Sequence, residues 1–467
     1  MSTALEPKHS DSQSTDQPRG ASSPPGAILA LGFGTTVAMW AVAYFCRLPG
    51  VMAPGPLLAA LFVACLVAGG FLSGKWLGGG SRPAALVGAQ VGALAGLLNL
   101  LILGSVFRDV LGGNAGQAVF WVPGTIAAMA VLATVGALLS RERAAPGERA
   151  WSSAFGRVAA CATLLLLSAG GLVTGHDAGL AVPDWPNSFE TNMFLYPLSR
   201  MTGGIYYEHA HRLFGSLVGL TTLVLAVHLV RNDRRRWLKG LAIAAFVAVC
   251  VQGLLGGLRV TGKLTLSADA ADLSPSTALA VVHGVTGQLF FCLLCALAAF
   301  VSKTWQGAEP ARDLEEAERE RRAGTISLST GLVLLLTLQL FLGALLRHLH
   351  TTSTWHVTGA VFVLLLAVAV GVRAMSMHKD QPVLPRLGKA LCGLVAFQFL
   401  LGWVALAATL MKAGALADWQ AAITTLHQTT GALVLATAVL LRLWSGRLLG
   451  PGGGGAPALL GGAAGAS

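Results

Sequence analysis

The chain of 467 residues is 54% hydrophobic and only 11% charged, with a mean hydropathy of +0.67, and this composition excludes an ordinary soluble domain. It is typical of a polytopic helical membrane protein, in which the 58 glycines allow helices to pack closely. The net charge of +11 does not indicate a nucleic-acid partner, because nearly all of it falls in short segments between apolar runs.

Residues 1–26 are polar and rich in Ser and Pro, and we predict a disordered cytoplasmic tail there. The apolar run that follows is too long and too far from the first residue for a cleaved signal peptide, so we expect a retained helix. Residues 27–149 are predicted to form an extra four-helix membrane domain of unassigned role, ending in a charged linker at 141–149. Its spans lie near 27–47, 55–74, 84–105 and 118–140.

Eight further spans lie near 153–174, 207–230, 237–258, 277–302, 325–346, 353–373, 387–410 and 420–443. An even count of twelve brings both ends of the chain to one side of the membrane. The loops rich in Lys and Arg, including the long stretch from Lys303 to Arg322, fall on that same side. The positive-inside rule therefore predicts that both termini are cytoplasmic. A second disordered tail, rich in Gly and Ala, is predicted at 448–467.

The last eight spans form a tandem repeat in the sequence. Every second span begins with one histidine, and the offsets agree between halves, since 356 − 211 = 145 and 427 − 283 = 144. The spans between them carry Gln-x-x-Leu-Gly, beginning at Gln252, Gln339 and Gln398. We predict two tandem four-helix bundles, residues 150–304 and 305–447, related by a pseudo-two-fold axis along the membrane normal. The four histidines are His211, His283, His356 and His427.

These histidines share one depth in the predicted topology. Each lies a few residues into a helix that enters from the external face, which is about 5–10 Å below the outer boundary at roughly 1.5 Å per residue. Two parallel helices in each half therefore present imidazoles at one level, an arrangement that suits axial ligation of one flat macrocycle. A single buried histidine is more often a hydrogen-bonded interior residue, but four in register favour two bis-histidine haem sites. We expect the glycine one turn beyond each histidine to admit the flat ring.

The two halves differ around the first histidine pair. Glu208 lies three residues before His211 and so shares its helix face, whereas the second half has Ser353 at that position. An external loop at 175–206 precedes this helix, and the second half has only a short turn at 349–352. We infer a reacting site under a lid in the first half and an electron-transfer haem in the second. Glu208 is expected to accept or position protons.

Two arginines are candidates near a haem. Arg212 could pair with Glu208 or with a haem propionate, and the sequence leaves both alternatives open. Arg347 is expected in an external loop with His348 and His350, where it would meet propionates.

The pattern Glu208-x-x-His211-Arg212, the Gly-Leu-Ala-x-x-Asp-Trp-Pro segment at 179–186 and the single histidines on the later helices resemble the haem A synthase family over about residues 150–445. Members of this family are membrane enzymes that oxidise haem O to haem A for cytochrome oxidase. Unlike some bacterial members, the chain has no cysteine in the loops at 175–206 and 347–352, which excludes thiol chemistry there.

The resemblance implies that the C8 methyl of haem O is oxidised to a formyl group. His211 and His283 would hold the substrate haem, with Glu208 beside the reacting edge, and these three would be the catalytic residues. His356 and His427 would ligate a haem b that relays electrons. The implied location is a bacterial-type plasma (inner) membrane, with the haem sites toward the external face. Haem O synthase and cytochrome oxidase assembly factors are the expected partners, and no electron donor is assigned.

The alternative function is that of a non-enzymatic dihaem b-type cytochrome that passes electrons from a quinol or another donor. Many such cytochromes place two histidines on one helix and stack their haems. Here each helix supplies one ligating histidine at one depth, so the haems would lie side by side. A transporter or assembly scaffold is a second rival, but it predicts charged midplane residues and broken helices, and the sequence has neither.

Overall fold

The computed structural model describes residues 24–77, 83–111, 115–140, 150–261, 276–308, 316–411 and 414–450. The linker at 141–149 and nearly all of both predicted tails lie outside these residues. In the described part, twelve helices are long and apolar enough to cross a membrane, and extended pairing is limited to one isolated bridge between Ser188 and Thr191. The prediction of an all-α, multi-pass membrane protein with about twelve spans is confirmed.

The helices follow one another in chain order, and a long external segment precedes α6. Their bounds are α1 Pro24–Cys46, α2 Gly55–Leu77, α3 Ala84–Leu111, α4 Ala115–Leu139, α5 Trp151–Gly175, α6 Gly203–Asn232, α7 Arg236–Thr261, α8 Thr277–Phe300, α9 Lys303–Gln306, α10 Glu316–Leu349, α11 Ser353–Ser376, α12 Leu384–Leu410 and α13 Asp418–Leu449. The helix α9 has only four residues, and the other twelve are the candidate spans. Two short 3-10 turns, Met193–Leu195 and Leu198–Arg200, lie in the external segment.

The helix α10 begins at Glu316, nine residues before the predicted start at 325. Its polar first turns are stabilised by ion pairs at helical spacing, because Glu318 lies 2.9 Å from Arg321 and 2.8 Å from Arg322. The hydropathy pattern predicts only the part of a helix that lies in lipid. Part of the predicted loop from Lys303 to Arg322 is therefore helix.

The last eight spans pack as two rings of four helices. The helix α5 contacts α6 and α8, and α7 contacts α6 and α8. In the same way α10 contacts α11 and α13, while α12 contacts α11 and α13. The rings meet where α5 and α8 pack on α13 and where α8 packs on α10. These contacts agree with two four-helix bundles, while the pseudo-two-fold axis and the domain limits stay predictions.

The first four helices pack on one another and on the first ring. The helix α4 contacts α2 and α3, and α1 contacts α2, α3 and α5. Small residues bring the backbones close, since a Cβ at Gly92 would lie 2.3 Å from the carbonyl oxygen of Met129. The region before residue 140 is thus attached to the half that carries Glu208.

Candidate functional site

The structure brings the four histidines together as two pairs. The rings of His211 on α6 and His283 on α8 have centroids 6.4 Å apart and an interplanar angle of 84°. The rings of His356 on α11 and His427 on α13 have centroids 6.4 Å apart and an interplanar angle of 79°. The pairing within each half is the one that the sequence predicts.

This spacing fits two imidazoles that bind one metal ion from opposite sides. With metal–nitrogen bonds of about 2.0–2.1 Å, the ring centroids lie roughly 6.3–6.5 Å apart. The Nδ1 atoms of all four histidines are buried, and the Nε2 atom of His427 lies 3.3 Å from the side-chain nitrogen of Gln398. Among the described residues, no group of three or more His, Cys, Asp or Glu side chains could hold a metal ion. Two isolated imidazoles fit a metal whose other ligands come from a macrocycle, as in haem.

A glycine of the preceding helix faces each histidine ring. A Cβ at Gly170 or Gly343 would lie 2.8 Å from the Cε1 of its histidine, and one at Gly402 would lie 3.1 Å away. At Gly256 the corresponding distance to His283 is 3.6 Å. These glycines thus give the imidazoles room at the helix contact. Sequence reasoning missed this role, although the Gln-x-x-Leu-Gly repeat ends at three of the four glycines.

The glycines one turn beyond the histidines have different neighbours, and whether each of them admits a flat ring stays a prediction. Gly359 and Gly431 lie against the side chains of Gln339 and Gln398, which come from the neighbouring helices. Gly287 likewise faces Gln252, and a Cβ there would lie 3.6 Å from its Oε1 atom. Beside Gly215 a Cβ would meet nothing within 4 Å.

The open space at Gly215 has a cause in the sequence. The residue four positions before Gly170 is Leu166, where the other three helices carry glutamine before their glycine. No glutamine therefore extends from α5 toward α6. Among the described residues, the space one turn below the histidine is open only in the half that has Glu208.

Glu208 is 4% exposed and forms an ion pair with Arg212, whose Nε donates to its Oε1 at 3.1 Å. Arg212 also donates to the backbone carbonyls of Val182, Asp184 and Asn187, at 2.8, 2.6 and 3.1 Å. All three nitrogens of the guanidinium are therefore engaged by the acid and the external loop. These contacts favour the pairing with Glu208 over the propionate role that the sequence also allowed.

The external loop at 176–202 is held by buried polar groups. The Asp184 carboxylate is fully buried and accepts hydrogen bonds from the backbone N–H groups of Phe189 and Glu190, both at 2.7 Å. Those two residues have φ of +52° and +60°, so the carboxylate offsets a strained turn. The turn also places Ser188 Oγ 3.0 Å from His209 Nδ1, which gives His209 an interior role.

The loop reaches across to α7. The indole of Trp185 lies on Gly257, where a Cβ would be 2.5 Å from the ring. The same segment is bound to α6 through Arg212. The loop therefore spans the two outer helices of the first ring, above the pair His211 and His283.

His176 follows α5 at the external end of the contact between the two rings. Its ring stacks on Tyr207 at a centroid distance of 4.1 Å, and its Nδ1 lies 3.8 Å from the Asp418 carboxylate at the start of α13. Burial lowers the pKa of His176, and the charge of Asp418 opposes that shift. The imidazole is consequently neutral near pH 7, and its contact with Asp418 is weak.

Two residues expected in an external loop lie in a helix instead. Arg347 and His348 belong to the last turn of α10, and only His350 follows the helix end at Leu349. Basic side chains are favourable in a last turn because they meet the negative end of the helix dipole. Arg347 lies within electrostatic range of Asp177 in the loop of the first half. Whether it meets a propionate stays a prediction.

Known proteins match the part of the chain that contains these groups. Residues 189–358 match the model of the COX15-CtaA family, described as a cytochrome oxidase assembly protein. Proteins named Heme A synthase from Listeria monocytogenes and Listeria innocua are 28% identical over 144 residues, which is 30% of this chain and 42% of theirs. Heme A synthase COX15 of Homo sapiens is 38% identical over 69 residues, 15% of this chain and 17% of the human protein.

The chain is similar to haem A synthases over this part. The family match contains Glu208, His211, His283 and His356, and it ends before His427. The four N-terminal helices lie before it. The chain covers less than half the length of these curated haem A synthases, so its activity, substrate and partners are matters for proposal.

Proposed function

We propose that this protein is a haem A synthase that oxidises the C8 methyl of haem O to a formyl group. The observation that carries the proposal is the pair His211 and His283, spaced for one metal between them, with Glu208 buried on the helix of His211 where the second half has Ser353. The match to haem A synthases supports the same reaction. The second half repeats the histidine spacing and has Ser353 in place of the acid, and we assign it the electron-relay role.

His211 and His283 would hold the substrate haem O, and His356 and His427 would hold a resident haem b. Haem b, when bound, supplies one-electron transfer. The overall reaction is R–CH3 + H2O → R–CHO + 4 H⁺ + 4 e⁻, so the electrons must pass to an oxidant from outside the chain. The open space beside Gly215 gives the first half room for a bulky substrate.

Glu208 is the group in this site best suited to accept a proton as the methyl carbon is oxidised. It is buried, and the Arg212 guanidinium fixes its orientation. The loop bound to Arg212 excludes water above it. The external loop would therefore have two roles. It would hold Glu208 in position through Arg212, and it would cover the haem.

The proposal includes an orientation in the membrane. In this orientation both termini lie in the cytoplasm of a bacterial-type cell and the histidines lie toward the external face of the inner membrane, and the positions of the loops rich in Lys and Arg support it. A membrane position suits a substrate with an apolar tail. Haem O synthase, as supplier of that substrate, and oxidase assembly factors are the proposed partners.

The test is expression beside haem O synthase in a host that makes no haem A, followed by extraction and chromatography of the haems. Haem A or hydroxylated haem O is the expected product. If haem b alone is bound while haem O is plentiful, the enzyme proposal fails and the dihaem cytochrome is favoured.

The variant Glu208→Gln tests the role of the acid. Glutamine keeps the size of the side chain and cannot accept the proton, so haem should stay bound while product is lost. Glu190→Gln, an exposed acid of the external loop, is the matched control and should retain product. Full product yield from Glu208→Gln would contradict the proposed role.

A further inference from the structure

Arg259 occupies the last turn of α7, a helix that contacts the first histidine pair. Gly256 of the same helix faces the His283 ring. Arg259 is three residues further on, which keeps it on the same face and raises it about 4.5 Å toward the external side. Its side chain therefore starts just above the contact between Gly256 and His283, on the side of the external loop.

The contacts of Arg259 place its charge inside the site. The guanidinium lies against the loop, because a Cβ at Gly179 would be 2.5 Å from its Nη2 atom. It is within electrostatic range of Glu208, His211 and His283. With other described residues it forms neither an ion pair nor a hydrogen bond. A half-buried cation in this position favours an anionic ligand.

The internal repeat shows that this cation is specific to the first half. The offset that relates Gln252 to Gln398 is 146, and 259 + 146 = 405. The second half has Ala405 at that position, a buried and uncharged side chain. Arg259 therefore belongs with Glu208 to the group of residues that distinguishes the proposed reacting site from the proposed relay site.

We propose that Arg259 binds a propionate of the substrate haem and thereby selects the edge of the porphyrin that faces Glu208. This inference rests on the proposed function. The C8 methyl of haem O shares its pyrrole ring with a propionate, so an anchored carboxylate fixes the position of the methyl. A guanidinium suits this task because it binds a carboxylate through two parallel hydrogen bonds. Arg212 is not available for it, since its donors hold Glu208 and the loop.

The test compares protohaem with its dimethyl ester, which lacks the propionate charges. The full chain carrying His356→Ala and His427→Ala is titrated in detergent, so that only the first pair binds, and the Soret band gives Kd. We expect the free acid to bind about tenfold more tightly than the ester, because the ester cannot form the charge-assisted hydrogen bond with Arg259. In Arg259→Gln this ratio should fall close to one, and Arg259→Lys, which keeps the charge but not the two parallel hydrogen bonds, should restore it only in part.

Arg200→Gln is the control, because it removes an exposed external cation away from the histidine pair and should leave the ratio unchanged. The proposal is overturned if the ratio of acid to ester affinity is the same in Arg259→Gln and in its parent. This holds even if the variant loses bound anionic lipid or inorganic phosphate. Failure of the proposed function looks different. In that case the haem extraction described above gives haem b without haem A or hydroxylated haem O, whatever the ratio of acid to ester affinity.

Discussion

At the scale of single residues, each of the four histidines is positioned by a glycine on a neighbouring helix. The sequence predicts the histidines, because their repeated offsets are visible along one chain. It does not reveal the glycine partners, because those contacts join different helices and depend on how the helices rotate against one another. The role of Gly170 is the clearest example, since its helix lacks the glutamine that precedes the other three glycines.

The variant Gly170→Ala should displace the His211 ring. The added Cβ would lie 2.8 Å from Cε1, closer than carbon atoms approach, and such overpacking costs about 1–3 kcal/mol. We expect weaker haem binding in the first half with the second half unaffected. Gly343→Ala should give the reverse, through His356. The haem-to-protein ratio and the low-spin electron paramagnetic resonance signals of each half would measure the effect.

Gly256→Ala is the control for both variants. A Cβ there would be 3.6 Å from His283, an ordinary van der Waals contact, so haem binding should survive. Equal loss of haem in Gly256→Ala and Gly170→Ala would show that the glycines serve general helix packing and not the position of the imidazoles.

At the scale of elements, the external loop before α6 shows what a sequence can and cannot predict. Its length predicts a lid in the first half. Its anchors could not be predicted, because Arg212 reaches carbonyls 25 to 30 residues away along the chain, and a backbone carbonyl has no signature in the sequence. The same reason left Asp184 unassigned. The twelve long helices were predictable from hydropathy, whereas the start of α10 depended on ion pairs that hydropathy ignores.

The variant Asp184→Asn should loosen this loop. The amide nitrogen of asparagine would face a backbone N–H of Phe189 or Glu190, so one buried hydrogen bond is replaced by two opposed donors. The cost is about 1–3 kcal/mol, and it falls on a turn with two left-handed residues. We expect faster proteolytic cleavage within 176–202 and lower product yield. Glu190→Gln changes an exposed side chain of the same turn and should not accelerate cleavage, and equal rates would contradict the anchoring role.

At the scale of the whole molecule, the four N-terminal helices contact the half that carries Glu208. Tyr206 of α6 donates its hydroxyl to the carbonyl of Tyr44 on α1 at 2.6 Å, and the two rings stack. On α3, Asp109 accepts hydrogen bonds from the backbone N–H and the hydroxyl of Ser199, at 2.9 and 2.7 Å. The carbonyl of Phe194 accepts a hydrogen bond from Ser105. These helices thus brace both the loop and the start of α6.

This role was not predictable from the sequence. The first four spans contain no histidine and no repeated motif, and their apolar sequences have a similar composition. Hydropathy predicts that such helices exist, but it does not determine which neighbour each one meets. Asp109 and Ser199 are 90 residues apart, so only the assembled structure relates them.

The variant Asp109→Ala tests whether the N-terminal helices support the reaction. It removes both acceptors that hold Ser199, which should weaken the attachment of the loop by about 0.5–1.5 kcal/mol. Because α3 contacts the loop and not the second histidine pair, we expect a lower yield of haem A while the spectrum of the haem at His356 and His427 is unchanged. Glu316→Ala, which removes an exposed acid of α10, should leave both unchanged. If haem A yield is normal in Asp109→Ala, the brace does not act on the reacting site; if the second haem is also lost, the helices stabilise the whole protein instead.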